Sequence, residues 1–148
     1  DGNTINKNCG TTYTKLLQKE VIKNKADFGI AFDGDGDRLI FVDENAIELN
    51  GDDILYVLAR DKFENQITLG SKGIVGTIMT NKGLEISLAK MGVDLIRTDV
   101  GDRYVLQKLE ELNWDLGGEQ SGHIISLDSS NSGDAIIAAI KFLEAYVC

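Results

Sequence analysis

Short apolar runs alternate with amphipathic stretches of about ten residues along most of the chain, and this alternation restricts the fold more than any other feature. The apolar runs at Asp27–Asp33, Leu39–Val42, Gly73–Met79, Val93–Arg97, Trp114–Leu116 and Ile124–Leu127 predict strands. Between them, apolar residues recur at helical spacing. Leu16, Leu17, Val21 and Ile22 mark a helix over Thr14–Asn24, and Asn50-Gly51-Asp52 caps one that runs to about Phe63. Leu84, Leu88 and Met91 stand at i, i+4 and i+7 in a third, and Val105, Leu109 and Leu112 follow Gly101-Asp102-Arg103 in a fourth. Asp134 caps a nearly all-apolar helix from Ala135 to Val147. Strands that alternate with helices predict an α/β fold, three-layer α/β/α with a largely parallel mixed sheet. Residues 48–148 make one complete unit of this kind, and residues 1–47 read as the C-terminal part of a preceding, similar unit. The chain has no proline, so Gly, Asn and Asp must supply the stops.

Composition narrows the function classes. A chain of 148 residues with 43% hydrophobic and 26% charged residues suits one compact domain, or one domain and part of another. A net charge of −9 argues against a nucleic-acid backbone or an anionic membrane as the main partner. No apolar run approaches the roughly 20 residues of a membrane span. Cys9 and Cys148 are the two cysteines, which is no disulfide framework and predicts a reduced, cytoplasmic protein. The chain opens on Asp1-Gly2-Asn3 without a methionine and ends at Tyr146-Val147-Cys148 inside a helical pattern, which predicts a piece of a longer protein.

The strongest chemical signal is Asp33-Gly34-Asp35-Gly36-Asp37-Arg38, directly after a predicted buried strand. Three carboxylates at i, i+2 and i+4 repel one another unless a cation neutralises them. A hard divalent ion takes such oxygen ligands, and the glycines let the backbone fold tightly enough for the carboxylates to converge. A solvated acidic turn is the competing reading, because Asp-Gly pairs are common turn formers. A calcium EF-hand is excluded: its sixth position is Arg38 instead of glycine, and the flanks read as strands. The loop follows the carboxyl end of a strand, where α/β ligand sites form, which favours the metal. Three carboxylates leave coordination positions open, which suits Mg²⁺ with phosphate oxygens and points to phosphoryl transfer.

Three further loops carry polar groups at strand ends. Gly117-Gly118-Glu119-Gln120-Ser121-Gly122-His123 offers a carboxylate, an amide, a hydroxyl and the single imidazole, groups that can hydrogen-bond vicinal sugar hydroxyls. Thr98-Asp99-Val100-Gly101-Asp102-Arg103-Tyr104 puts Arg103 at a helix start, where it can face an anionic ligand. The segment from Lys72-Gly73 to Asn81-Lys82-Gly83 places Thr80, Asn81 and Lys82 after a strand. Alone, the first reads better as an ordinary polar turn, the second equally well as a capped helix with a solvent-facing ion pair, and the third is a weak signal. Together they set polar groups at one edge of one sheet, the position of a binding cleft.

These motifs resemble the α-D-phosphohexomutase superfamily. The similarity runs through Asn6-Lys7-Asn8-Cys9-Gly10, Ala31 to Arg38, Asn50-Gly51-Asp52, Gly76 to Asn81, Val100 to Val105 and Gly118 to His123, essentially the whole chain. Val100-Gly101-Asp102-Arg103-Tyr104-Val105 favours the phosphoglucosamine branch over the phosphomannomutase and phosphoglucomutase branches. The resemblance implies a four-domain parent that interconverts glucosamine 6-phosphate and glucosamine 1-phosphate through a phosphoserine enzyme and a bisphosphate, feeding cell-wall amino-sugar synthesis. It implies that Asp33, Asp35 and Asp37 bind Mg²⁺, that Arg38 lies near the transferring phosphoryl group and that Glu119 and Ser121 contact sugar hydroxyls. It gives His123 a part in substrate positioning or proton transfer. The phosphoserine motif and the phosphate-binding loop of that family have no counterpart here, so the chain alone is expected to be inactive. The alternatives are a phosphomannomutase/phosphoglucomutase fragment and a non-catalytic metal- or sugar-phosphate-binding module.

Overall fold

The computed structural model describes residues 2–64 and 73–147, so Lys72 and Cys148 lie outside the described residues. The elements follow in the order α1 (Lys15–Asn24), β1 (Phe28–Phe32), β2 (Leu39–Asp43), β3 (Glu48–Leu49), α2 (Gly51–Glu64), β4 (Gly73–Thr77), α3 (Lys82–Lys90), β5 (Asp94–Thr98), α4 (Asp102–Leu112), β6 (Leu116–Gly118), β7 (Ile124–Ser126) and α5 (Ala135–Val147).

Among the described residues two sheets form. In the first, β1, β2 and β3 pair antiparallel in that order. In the second, the order is β5-β4-β6-β7; β4 pairs parallel with β5 and β6, and β6 pairs antiparallel with β7. This is the largely parallel mixed sheet that the alternation predicts.

Period-two burial builds the layers. On β4, Ile74 joins a core with Ile54, Leu55 and Leu58 of α2, Leu84 and Leu88 of α3, and Phe142 of α5. Its neighbour Val75 faces the other way and packs with Val105 and Leu109 of α4. On β7, Ile124 and Ile125 divide in the same manner. Helices α2, α3 and α5 therefore cover one face of the second sheet and α4 the other. The first sheet joins the larger core through Leu39 and Phe41 of β2, and Phe41 stacks on Phe142 with ring centroids 4.2 Å apart.

Caps set the helix starts. Asn81 Oδ1 accepts from Leu84 N at 2.7 Å, and Asp134 Oδ1 accepts from Ile136 N and Ile137 N, both at 3.0 Å. Two expectations shift. The strand predicted at Trp114–Leu116 lies at Leu116–Gly118, because Trp114 packs in the α4 core while Gly117 and Gly118 enter the ladder. A Cβ on Gly117 would stand 2.7 Å from Val75 O, so only glycine permits that approach. On α1, Val21 is buried, but Leu16 and Ile22 are each 54% exposed, because this helix packs on the first sheet along one narrow side.

Candidate functional site

The acidic loop connects β1 to β2 and winds around one of its own carboxylates. Asp33 Oδ1 accepts from the backbone N–H groups of Gly36 at 3.0 Å and of Asp37 and Arg38 at 3.3 Å. Gly36 takes φ +74°, the left-handed conformation that lets the chain turn back. Burial pushes the Asp33 carboxyl up. The Arg38 N–H, the Asp37 side chain and the N–H groups of Gly36 and Asp37 outweigh it, and the carboxyl lies below its usual value.

Asp33, Asp35 and Asp37 each offer an oxygen, and these oxygens lie within 4.8 Å of one another. Asp37 Oδ1 is buried and has no hydrogen-bond partner among the described residues, while Asp37 Oδ2 meets His123 Nδ1 at 3.1 Å. A buried carboxylate oxygen without a partner is costly unless a cation takes it. Three converging hard oxygen donors, one of them orphaned, fit a divalent metal ion.

The glycine-flanked loop between β6 and β7 lies directly beside this one. Arg38 and His123 form an antiparallel bridge, and Leu39 N donates to Gly122 O at 3.1 Å. Gly122 has φ +93°, and a Cβ there would stand 2.1 Å from Leu39 O. His123 is 5% exposed, and Gly133 presses on the far side of its imidazole, where a Cβ would stand 2.2 Å from Nε2. His123 is therefore a buried support for Asp37 within the loop pair.

A cleft of about 490 Å³ opens beside the polar loop and reaches the acidic loop only at Arg38; Asp33, Asp35, Asp37 and His123 are not among its lining residues. Arg38, Glu119, Gln120 and Ser121 line it, together with Thr11, Thr12, Asn50, Thr77, Met79 and Val100. Glu119 is 7% exposed, and its Oε1 accepts from Gly101 N at 3.0 Å, which ties this loop to the start of α4. Arg38 and Ser121 are exposed. Arg103 is not among the lining residues: its guanidinium lies 4.5 Å from the Tyr104 ring centroid and donates to the Tyr104 hydroxyl at 2.6 Å.

The β4–α3 loop contributes different side chains from those the sequence singled out. Thr80 Oγ1 accepts from Thr77 N, Asn81 caps α3 and donates to Asp52, and Lys82 pairs with Glu85; none of the three is among the lining residues of the cleft. Thr77 and Met79 face the cleft instead. Thr11 and Thr12 follow a segment with no periodicity, and nothing local in the sequence marks them. Asn50 was legible only as a helix cap, yet it also lines the cleft.

Fold and site together define a three-layer α/β domain with a carboxylate loop and a polar cleft at one sheet edge. The family model described as phosphoglucomutase/phosphomannomutase alpha/beta/alpha domain III matches residues 50–147, and that of domain II matches residues 4–48. The chain belongs to the phosphoglucomutase/phosphomannomutase family. It is 51% identical over 145 residues to a phosphoglucosamine mutase of Neisseria meningitidis serogroup C, covering 98% of this chain and 32% of that protein. It is 52% identical over 147 residues to a phosphoglucosamine mutase of Sodalis glossinidius, covering 99% of this chain and 33% of that protein. The chain thus spans about a third of the length of these relatives. Among solved structures, it is similar to a phosphoglucomutase/phosphomannomutase family protein of Burkholderia thailandensis, with TM-score 0.79, 24% identity and coverage of 93% of this chain and 30% of that one. It is also similar to the open form of the Paramecium phosphoglucomutase parafusin, with TM-score 0.71, 26% identity and coverage of 93% and 25%.

Proposed function

We propose that this chain is the central part of a phosphoglucosamine mutase that interconverts glucosamine 6-phosphate and glucosamine 1-phosphate through a phosphoserine enzyme and a bisphosphate intermediate. The observation that carries this reading is the joining of the acidic loop to the glycine-flanked polar loop through Asp37–His123 and Arg38–His123, with Arg38 of the one and Glu119, Gln120 and Ser121 of the other lining one cleft. Identity of about 50% to phosphoglucosamine mutases over nearly the whole chain supports the substrate class. In this reading the chain divides near residue 48 into the end of one domain and the whole of the next, and the serine and the other domains come from the longer polypeptide. The chain alone has no turnover, and the parent is cytoplasmic, with neither nucleic acid nor membrane as partner. No helix among the described residues is long and apolar enough to cross a membrane.

Asp33, Asp35 and Asp37 would hold Mg²⁺, which neutralises charge on a phosphoryl group during transfer. Arg38, exposed at the end of the same loop, meets the phosphoryl oxygens as a fixed cation. Glu119 and Ser121 accept and donate hydrogen bonds to sugar hydroxyls from the opposite wall. His123 positions Asp37 and thereby the metal loop; its burial favours this role over proton exchange with substrate. Arg103 would leave the Tyr104 ring to meet an anionic group.

The test is a substrate panel on the complete polypeptide that contains this chain. Turnover is expected to favour glucosamine 6-phosphate over glucose and mannose phosphates. A preference for the hexose phosphates would move the reading to a phosphomannomutase/phosphoglucomutase, and no turnover on any of them would leave only a binding module.

A further inference from the structure

Asp52 is a buried carboxylate that the mechanism above does not use. It stands in the first turn of α2, is 1% exposed, and its Oδ2 accepts two hydrogen bonds from Asn81, from the backbone N–H and from the side-chain Nδ2, both at 2.9 Å. Its Oδ1 is also buried and has no partner among the described residues. Burial, helped by the charge of Asp53, pushes its carboxyl above the usual range against the hydrogen bonds from Asn81. Holding such a group inside a fold is unfavourable, and a neutral pair would make a cheaper structural link.

Its neighbours show what the position achieves. One residue earlier, Gly51 N donates to Gln120 O at 3.0 Å, and a Cβ on Gly51 would stand 1.9 Å from Glu119 O. The first turn of α2 is therefore pressed against the Glu119–Gly122 loop on one side and bonded to the β4–α3 loop on the other. Arg97 completes the hold on the second loop by donating to Thr77 O at 3.0 Å and Thr80 O at 2.7 Å. Thr77 and Met79 on that loop and Ser121 on the other line the same cleft.

We propose that Asp52 is a positioning residue for the cleft: through Asn81 it holds the β4–α3 loop at a set distance from the Glu119–Gly122 loop, and so fixes the width available to a sugar phosphate. This inference rests on the proposed mutase reading for its substrate. Misplacement of a binding wall by an ångström weakens substrate binding without touching the metal.

The experiment uses the complete polypeptide with glucosamine 6-phosphate and three variants. Asp52→Ala removes the acceptor. Asn81→Asp keeps the α3 cap but sets a like charge against Asp52. The pair Asp52→Asn with Asn81→Asp reverses donor and acceptor. Each single variant is expected to raise KM about 10-fold while the Mg²⁺ concentration for half-maximal rate stays unchanged, and the reversed pair is expected to return KM to within about 2-fold. Should Asp52→Ala fail to fold, Asn81→Asp and the reversed pair decide alone. A KM unchanged in the folded single variants overturns the inference, even if their melting temperatures fall, and so does a reversed pair no better than either single. If the unmodified polypeptide has no turnover, the mutase reading fails and this inference with it; normal turnover with unmoved KM overturns the inference alone.

Discussion

At the residue scale, the site depends on contacts between groups far apart in sequence. Asp37 and His123 are separated by 86 positions and meet at 3.1 Å. Gly133 keeps the imidazole in place, since a Cβ there would fall 2.2 Å from Nε2. Gly133→Ala should therefore turn the ring away from Asp37 and weaken Mg²⁺ binding by about 10-fold, as loss of a group supporting a ligand does. Calorimetric titration of the unmodified and variant proteins with Mg²⁺ checks this, and equal affinities would refute the supporting role. A second prediction concerns Asp128. Burial pushes its carboxyl up, but hydrogen bonds from Lys141, Ser126 and Ser129 prevail and lower it from 3.8 to about 2. A carboxyl depressed on folding stabilises the folded form above its unfolded value, and that contribution is lost as pH falls through the folded one. The melting-temperature gap between the unmodified protein and Asp128→Asn should be constant above about pH 5 and close progressively as pH falls from about 5 to about 1. A gap undiminished at about pH 1 would contradict the assignment.

At the element scale, local patterns made most of the fold legible and missed what depends on the partner strand. Helices α2 to α5 were legible from apolar periodicity, and α5 also from Asp134 as its cap; the cap that Asn81 gives α3 was not. Asp134→Ala should cost about 1 kcal/mol, the usual worth of such a cap, and a chemical denaturation curve measures it. An unchanged midpoint would mean that the α5 start is held by packing alone. The local pattern places the β6 strand two residues too early because glycine is rare in strands, and only the close approach of Val75 O explains Gly117 there. The two-residue β3 is too short for any period to show. The acidic loop was readable because its three carboxylates are neighbours in sequence. The Asp52–Asn81 link spans 29 positions and left no local trace, and Thr77 and Met79 were hidden behind the more polar Thr80, Asn81 and Lys82.

At the scale of the whole molecule, one core fastens the two sheets together, so the acidic loop on the first sheet and the polar loop on the second keep a fixed relation. Leu39 and Phe41 of β2 share that core with Phe142 and Ile124. Leu16, Ile22 and Phe32 around the first sheet face solvent, a larger apolar exposure than the second sheet shows on α4. The central claim is that the carboxylates of the acidic loop act with this cleft in phosphoryl transfer between positions of an amino sugar. The most direct measurement is the rate of glucosamine 6-phosphate conversion by the complete polypeptide, unmodified and as Asp35→Ala, at saturating Mg²⁺. Loss of one of three ligands should lower kcat by at least about 10³-fold, because the charge of the transferring group is then poorly neutralised. Normal turnover by Asp35→Ala would contradict the role assigned to Asp33, Asp35 and Asp37.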